Sequence, residues 1–457
     1  MKRKYIGDKA FYKMAMTVAV PIMLQNFITN LVNMLDNLMV GSLGTEQMSG
    51  VSIVNQLVFV FNLCIFGGLS GIGIFTSQFY GKNDNEGIRH TLRMKMITAV
   101  TVVITALILF SAFDDFFINL FLHETDDSGD LVLTLSFAKQ YLEIILIGLL
   151  PFALSQMLAS TLRETGNTFV PMLSGLVAVI INGSFNYLLI FGKAGFPMLG
   201  VKGAAIATVM SRFAELIIET VYIIVKREKY PYIKGAFSSL KIPGKLLTSM
   251  LAKGTPLLVN ELLWSGGITA LSIAYSLHGI SVVAASSIAS SVTNLFNIAF
   301  LSMGTSIGII AGKSLGAGKH EEAIDNVRKM IFLSVSISIV IGIILYFTAG
   351  SITSLYKTDK ESKKLALYFI RVCSFVMPLN AFANASYFTL RSGGKTLITF
   401  VFDSGTLWTV SVPLAFLLYA AGLPVMAIYP IVQSAETVKV IVGYILIKKR
   451  VWVKTIV

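Results

Sequence analysis

The chain has 457 residues, of which 55% are hydrophobic and only 13% are charged. A soluble domain carries about 25% charged residues, so this composition excludes an ordinary soluble fold and indicates a membrane protein. The formal net charge of +13 is also typical of nucleic-acid binding. Here, however, the positive charges lie in short segments between apolar stretches, which is how orientation in a membrane is encoded.

The apolar stretches are continuous rather than alternating, which excludes an all-β fold. A helix needs ~20 mostly apolar residues to cross a bilayer, and twelve stretches meet this length. The predicted fold class is therefore an all-α polytopic membrane protein with twelve transmembrane helices. In chain order these are 14–40, 51–80, 94–113, 132–161, 169–192, 201–225, 255–277, 283–312, 330–348, 364–389, 397–418 and 425–447.

The charges between the helices predict the orientation. If the N-terminus is cytoplasmic, most Lys and Arg fall in cytoplasmic segments, as at both chain ends. This asymmetry fits the positive-inside rule with both termini cytoplasmic. The N-terminal apolar run is long enough to form a full transmembrane helix, so no cleavable signal is expected. The largest outside segment is acidic and contains Asp114, Asp115, Glu124, Asp126, Asp127 and Asp130.

The two halves of the chain match at an offset of 235 residues, as in Pro21 with Pro256 and Gly81 with Gly316. Six helices in each half make this a parallel repeat, in which the substrate site lies between the halves. The predicted domains are an N-terminal lobe (1–228), a cytoplasmic linker (229–254) and a C-terminal lobe (255–457). The repeated glycines predict close helix packing rather than ligand contact.

Seven carboxylates fall inside the predicted helices. A charge at the bilayer centre costs at least ~2.5 kcal/mol, so each should face a cavity or a partner. Asp36 is the strongest functional candidate because no Lys or Arg lies within one turn of it, and it could exchange a proton or bind Na⁺. Two others have a basic residue three positions away, which predicts structural ion pairs. The seven are Asp36, Glu143, Glu215 (with Arg212), Glu219, Glu261, Asp403 and Glu436 (with Lys439).

Several motifs in fixed order carry a resemblance that covers essentially the whole chain. They are Asp36-x-x-Met39-Val40-Gly41, Gly71-Ile72-Gly73 with Ser77-Gln78, Leu162-Arg163-x-x-Gly166-Asn167-Thr168, Asn182-x-x-x-Asn186-Tyr187 and Gly203-Ala204-Ala205. Together they resemble the multidrug and toxic compound extrusion (MATE) family. The resemblance implies two six-helix lobes around a central cleft. It also implies export of cationic amphipathic compounds in exchange for H⁺ or Na⁺, at the inner (plasma) membrane of a bacterium.

The resemblance points to Asp36 as the coupling residue of the N-terminal lobe. Asn182 and Asn186 share a helix face one turn apart, and many family members carry Asp at the second position. Here Asn186 removes one titratable group. With Thr208, the site would still offer the oxygens of a Na⁺ site or a relay with one carboxylate. Hydrogen bonding between helices by the two Asn residues remains an equal alternative.

For the C-terminal lobe the resemblance is weaker. Some members carry a Glu where this chain has Trp264, paired with an Asp where it has Asn380. Glu261 lies on roughly the same face as Trp264, so it is a candidate for a second ion site or for attracting a cationic substrate, with Trp264 as a stacking surface. Asn33 and Gln25 complete this predicted substrate or second-ion set.

No Walker A or HExxH sequence is present. We therefore expect no ATP-driven transport, no enzyme activity, no catalytic residues, no cofactor and no metal site. The expected partners are the lipid bilayer and a small organic cation, with no nucleic acid, for a monomeric chain. A flippase for a lipid-linked saccharide is the alternative function. Carboxylates outnumber basic residues inside the helices, which favours a cationic cargo, whereas the choice between H⁺ and Na⁺ stays open.

Overall fold

The computed structural model describes residues 5–119, 131–356 and 358–457. Within these ranges the chain is helical without any strand, which confirms the predicted fold class. A short helix, Asp114–Asn119, follows the third of twelve long helices, which we number α1 to α12. Their bounds are Lys9–Gly41, Thr45–Lys82, Asn85–Ala112, Leu131–Glu164, Phe169–Phe191, Val201–Val225, Gly244–Ser276, Ile280–Gly316, His320–Ser354, Lys360–Ser392, Thr396–Ala420 and Val425–Lys448.

Eleven of these described helices, all but α6, are long and apolar enough to cross a membrane. α6 has 25 residues, which is also sufficient length, but it carries Lys202, Arg212, Glu215 and Glu219. It packs against α4 and α5, and both of its glutamates are buried. The two glutamates of α6 are therefore turned to protein rather than to lipid, and the chain is a multi-pass membrane protein.

Most helices extend beyond their predicted apolar cores. α3 begins at Asn85 and α9 at His320, each ahead of the predicted start. Acidic residues in these first turns interact favourably with the positive end of the helix dipole, so the helix continues past the apolar region. α7 begins at Gly244, which lies inside the predicted linker 229–254. Hydropathy identifies only the part of a helix that crosses the membrane, so the polar extensions of these helices were not predicted.

The internal repeat is visible in the helices themselves. α7 has the bounds of α1 at the same offset of 235 residues. A Cβ atom on Gly316 would lie 1.9 Å from the carbonyl oxygen of Gln78, and one on Gly81 would lie 2.0 Å from that of Lys313. These two glycines let the ends of α2 and α8 pack backbone to backbone, in agreement with the packing role predicted from the repeat.

The chain divides into two compact units. The first-half unit comprises Leu24–Thr76 and Asn85–Ser249, and the second-half unit comprises Met1–Met23, Ser77–Asp84 and Met250–Val457. α6 packs on α4 and α5 within the first, and α10 packs on α8, α9 and α12 within the second. The start of α1 and the end of α2 thus group with the second half, whereas the lobe boundaries at 228 and 255 stay a prediction.

Aromatic stacking builds part of the core of the second-half unit. Phe369 of α10 stacks on Tyr429 of α12 with ring centroids 4.0 Å apart, and Tyr275 packs on the same Tyr429 ring at 5.3 Å. In the same unit, the Gln78 side-chain amide donates to the carbonyl oxygen of Ser392 at 2.9 Å and accepts from the Ile456 backbone amide at 2.8 Å. The C-terminal segment is therefore attached to the end of α2.

Residues 226–243 connect α6 to α7 and belong to the first-half unit, where they pack against its helices. The Arg93 guanidinium donates to the carbonyl oxygens of Ala236 at 2.7 Å and Lys241 at 2.8 Å. Tyr230 is buried, and its hydroxyl accepts from Asn167 at 2.6 Å. The connection is thus held by hydrogen bonds to α3 and to the α4–α5 turn.

The predicted acidic segment is only partly described. Asp114 and Asp115 begin the short helix and pair with Lys139 at 3.3 and 2.7 Å. Glu124, Asp126, Asp127 and Asp130 lie outside the described residues, as do the basic Lys2, Arg3 and Lys4 at the N-terminus.

Candidate ion and substrate sites

Asp36 of α1 meets two asparagines of α5 within the first-half unit. The Asn186 amide donates to Asp36 Oδ1 at 2.5 Å and to Asn182 Oδ1 at 3.3 Å. The Asn182 amide reaches Thr208 Oγ1 of α6 at 3.2 Å. Both asparagines are buried, whereas Asp36 and Thr208 are half-buried. The structure brings together all four residues predicted for cation coupling, and their role stays a prediction.

The orientation of the Asn182 amide, which exchanges its oxygen and nitrogen, decides how this cluster is hydrogen-bonded. In one orientation, its oxygen faces the carboxylate, so that acceptors face acceptors. In the other, its nitrogen donates to Asp36 Oδ1 at 2.8 Å and Oδ2 at 3.0 Å, and its oxygen accepts from Thr208 at 3.2 Å. Because a carboxylate only accepts hydrogen bonds, charged Asp36 requires the second orientation. A protonated Asp36 has a hydroxyl that can donate to the amide oxygen, which the first orientation turns toward it.

Asp36 forms no ion pair with any described basic side chain. Arg212 of α6 is within electrostatic reach of Asp36, but its guanidinium pairs with Glu215 at 3.7 Å, as predicted, and lies over the Phe152 ring at 4.7 Å. Tyr141 of α4 also lies near the carboxylate. The Asp36 charge is therefore held by hydrogen bonds and lacks a contacting countercharge, which a small cation could supply.

Further along α6 the polar face continues toward the α4–α5 turn. Glu219 is fully buried, and Ser174 of α5 donates to its Oε1 atom at 2.9 Å. Arg163 interacts electrostatically with Glu219 and donates to Gln25 Oε1 of α1 at 3.2 Å. Gln25, predicted for the substrate or second-ion set, is thus hydrogen-bonded to Arg163. The Arg163 side chain therefore links the α4–α5 turn to α1 and to α6.

A buried charge cluster joins α7, α11 and α12 within the second-half unit. Lys439 donates to Asp403 Oδ1 at 3.0 Å and contacts Glu436 Oε1 at 3.0 Å, which confirms the predicted pairing of Glu436 with Lys439. The Asn260 amide donates to Asp403 Oδ2 at 3.1 Å. Ser404 donates from both its backbone amide, at 3.3 Å, and its hydroxyl, at 2.8 Å, to Asn260 Oδ1.

Glu261 follows Asn260 on α7 and lies beside this cluster. It interacts electrostatically with Arg391 of α10 and with Asp403. Trp264 and Asn380 are half-buried, and within the described ranges neither is hydrogen-bonded to Glu261. Asn33 is exposed on α1. The assignment of Glu261, Trp264, Asn33, Asn380 and Gln25 to substrate or a second ion stays a prediction.

Two buried ion pairs were missed by sequence reasoning. Asp403 was left without a role, although it contacts Lys439, and Lys95 was not singled out. Lys95 is fully buried and contacts Glu164 at 2.5 Å. The signal was present, because a Lys inside an apolar helix needs a carboxylate. Spacing along one helix could not identify a partner on another.

No group of three or more His, Cys, Asp or Glu is placed to hold a metal ion in the parts of the chain that the structure describes. The oxygens gathered at Asp36 come from one carboxylate, two amides and a hydroxyl. Such neutral oxygen ligands with a single charge suit a monovalent cation or a proton better than a transition metal.

Comparison with known proteins agrees with this architecture. The family model MatE matches residues 21–188 and 256–417, one match in each half. A probable multidrug resistance protein NorM of Thermotoga maritima is 27% identical over 88% of this chain and 84% of its own. A probable multidrug resistance protein YoeA of Bacillus subtilis is also 27% identical, over 93% of this chain and 91% of its own.

Solved structures support the same fold. A MATE protein crystallised in complex with MaL6 has a TM-score of 0.84 at 20% identity and covers 98% of this chain and 97% of its own. An outward-facing multidrug resistance transporter has a TM-score of 0.85 at 18% identity and covers 98% and 97%. With the family match in both halves and the twelve-helix fold, the chain belongs to the MatE family of membrane transporters, which includes multidrug efflux proteins.

Proposed function

We propose that this chain is an antiporter that exports small organic cations in exchange for H⁺ or Na⁺, with Asp36 as the coupling carboxylate. The observation that carries the proposal is the contact of Asp36 with Asn186, at 2.5 Å, in a membrane-spanning helix without a paired basic residue. The printed names of the relatives, probable multidrug resistance proteins, support drug export.

In this proposal the site has two states. When Asp36 is charged, the amides of Asn182 and Asn186 both donate to it, without a cation. When a proton or Na⁺ binds, the Asn182 amide turns its oxygen toward Asp36. Binding of the ion thus changes a contact between α1 and α5, and the Thr208 contact carries the change to α6. Exchange of the ion for an organic cation follows if only one positive charge is held at a time.

Vesicles with a fluorescent organic cation test this proposal. The purified protein is reconstituted, and a pH gradient and a Na⁺ gradient are imposed in separate experiments. We expect one of the two gradients to drive uptake by the wild-type protein, and Asp36→Asn to abolish that uptake. Asn keeps the size and shape of the side chain and an oxygen that can accept from Asn186, and its amide nitrogen can donate to the Asn182 oxygen, so the variant should remain folded without the charge.

Glu143→Gln is the matched control. Glu143 is an exposed carboxylate on α4, so its neutralisation should leave gradient-driven uptake at the wild-type rate. Undiminished transport by Asp36→Asn would exclude Asp36 as the coupling residue. Translocation of a lipid-linked saccharide, with no gradient-driven uptake of any organic cation, would instead favour the flippase.

The proposal includes a location in the bacterial plasma membrane with both termini on the cytoplasmic side, and a chain that acts as a monomer in the lipid bilayer. The support is the concentration of Lys and Arg in the segments assigned to the cytoplasm, such as residues 226–243. Reporter fusions to each terminus test the orientation. A periplasmic signal from either terminus would contradict it.

A further inference from the structure

The Lys439 ammonium lies between two carboxylates of the second-half unit. It is 3.0 Å from Asp403 Oδ1 and 3.0 Å from Glu436 Oε1, and only 7% of the residue is exposed. The other Asp403 oxygen accepts from Asn260 at 3.1 Å. An ammonium group in this position does what a bound monovalent cation would do, because it supplies one positive charge to oxygens from two helices.

The backbone of α11 is shaped around this cluster. Val401–Gly405 and Leu407–Ser411 are π-helical turns, which are rare and occur frequently at functional sites. In the first of them, the consecutive residues Asp403 and Ser404 both contact Asn260 of α7. In a regular α-helix, neighbouring residues point about a quarter-turn apart, so the wider turn lets both reach one side chain.

The charges around the site do not balance fully. The carboxylates are Asp403, Glu436 and the adjacent Glu261, and the cations are Lys439 and Arg391, which interacts with Glu261. One negative charge is left over when all five are ionised. Removal of the Lys439 charge would therefore leave the Asp403 and Glu436 pair with no cation in contact.

We propose that Lys439 is a tethered cation that fills a monovalent-cation site formed by Asp403, Glu436 and Asn260, and thereby confines ion exchange to the first half of the chain. This inference rests on the proposed function, because it assigns the exchangeable ion to Asp36 alone. It predicts that the covalent cation can be replaced by a free one. Without Lys439, the site should take up one H⁺ or one Na⁺ to restore the same charge.

The test counts cations bound by the purified full-length protein in detergent. Proton uptake is measured with a pH electrode and Na⁺ binding with radioactive sodium, so the coupling ion need not be known in advance. Lys439→Met, which keeps the apolar stem of the side chain and removes the ammonium, should bind one more cation than wild type. Lys439→Arg keeps the charge and should bind no more. Combining Lys439→Met with Asp403→Asn should return the count to that of wild type.

Thermal unfolding gives a second measurement that does not depend on transport. The melting temperature of Lys439→Met should rise with added Na⁺, methylammonium or acid, whereas that of wild type should respond less. The inference is overturned if Lys439→Met binds no additional cation, or if the variant cannot be recovered folded with any of these cations present. It is also overturned if the wild-type protein already binds a cation that Asp403→Asn removes.

Asp36→Asn in the same assay separates this inference from the proposed function. In either background it should lower the cation count by one. If it does not, the role of Asp36 is wrong, whereas the difference between Lys439→Met and wild type still decides the role of Lys439.

Discussion

The buried pair of Lys95 and Glu164 offers a quantitative test of the packing of the first-half unit. Lys95 of α3 is 0% exposed, and its ammonium contacts Glu164 Oε2 at 2.5 Å, with Ser160 Oγ at 3.0 Å and Thr161 Oγ1 at 3.1 Å. Gly73 makes room, since a Cβ atom there would lie 2.1 Å from Glu164 Oε1. Lys95→Met would leave a carboxylate that is only 12% exposed without its cation.

Breaking a buried ion pair by removing one partner costs ~3–5 kcal/mol, because the other charge stays buried without compensation. We expect Lys95→Met to lower the free energy of unfolding by about this amount. Replacing both partners, with Lys95→Met and Glu164→Gln together, should cost less than Lys95→Met alone, because no buried charge remains. The coupling energy of this double-mutant cycle isolates the pair.

The assay is chemical denaturation of the purified variants in detergent micelles. The control is the pair of Arg450 and Glu321, which has a similar distance of 2.9 Å but side chains that are 54% and 80% exposed. Exposed pairs contribute ~0–1 kcal/mol, so Arg450→Gln should change the unfolding free energy little. Equal effects of Lys95→Met and Arg450→Gln would refute the reasoning, as would a double variant less stable than Lys95→Met.

Two further predictions concern packing. Gly316→Ala should destabilise the protein by ~1–3 kcal/mol, because its new methyl group meets a backbone carbonyl 1.9 Å away that cannot easily shift. Gly350→Ala, on α9 with open space around it, is the control and should be neutral or stabilising by ~0.5–1 kcal/mol in the same denaturation experiment. A larger loss of stability in Gly350→Ala than in Gly316→Ala would contradict the close approach of the two backbones. Arg93→Met should increase protease cleavage within residues 226–243, because it removes their hydrogen bonds to α3. Arg227 is an exposed residue of the same segment, so Arg227→Met should leave cleavage at the wild-type rate. Equal cleavage of both variants would show that Arg93 does not hold the segment.

The helical class and the number of long helices followed from the sequence. Each apolar run is long enough to cross a bilayer, and in hydrocarbon a segment must satisfy its own backbone hydrogen bonds, which a helix does. The offset between halves was also present in the sequence, and α1 and α7 have matching bounds. α6 was placed correctly, although it is the one long helix among those the structure describes that is not apolar enough along its length to meet the criterion for crossing a membrane.

Only some contacts of the two candidate sites could be predicted from the sequence. Glu436 and Lys439 are three residues apart on one helix, so their contact follows from helix geometry. The contact of Asp36 with Asn186 joins residues 150 positions apart, and it was expected only because the motifs resembled those of a family. No local pattern connects Asp403 with Lys439, whose contact depends on the π-helical turns of α11 and on the position of α12.

The sequence by itself determined that this chain is a twelve-helix membrane protein with a repeated half, because hydropathy and helix length are local properties of each segment. Only the tertiary structure decided which ionisable groups meet. Partner choice depends on how each helix is rotated about its axis and how far it is shifted along it, and a helix that is apolar on nearly every face leaves both undefined. The buried charges of Lys95 and Lys439 therefore acquired their partners only when the helices packed.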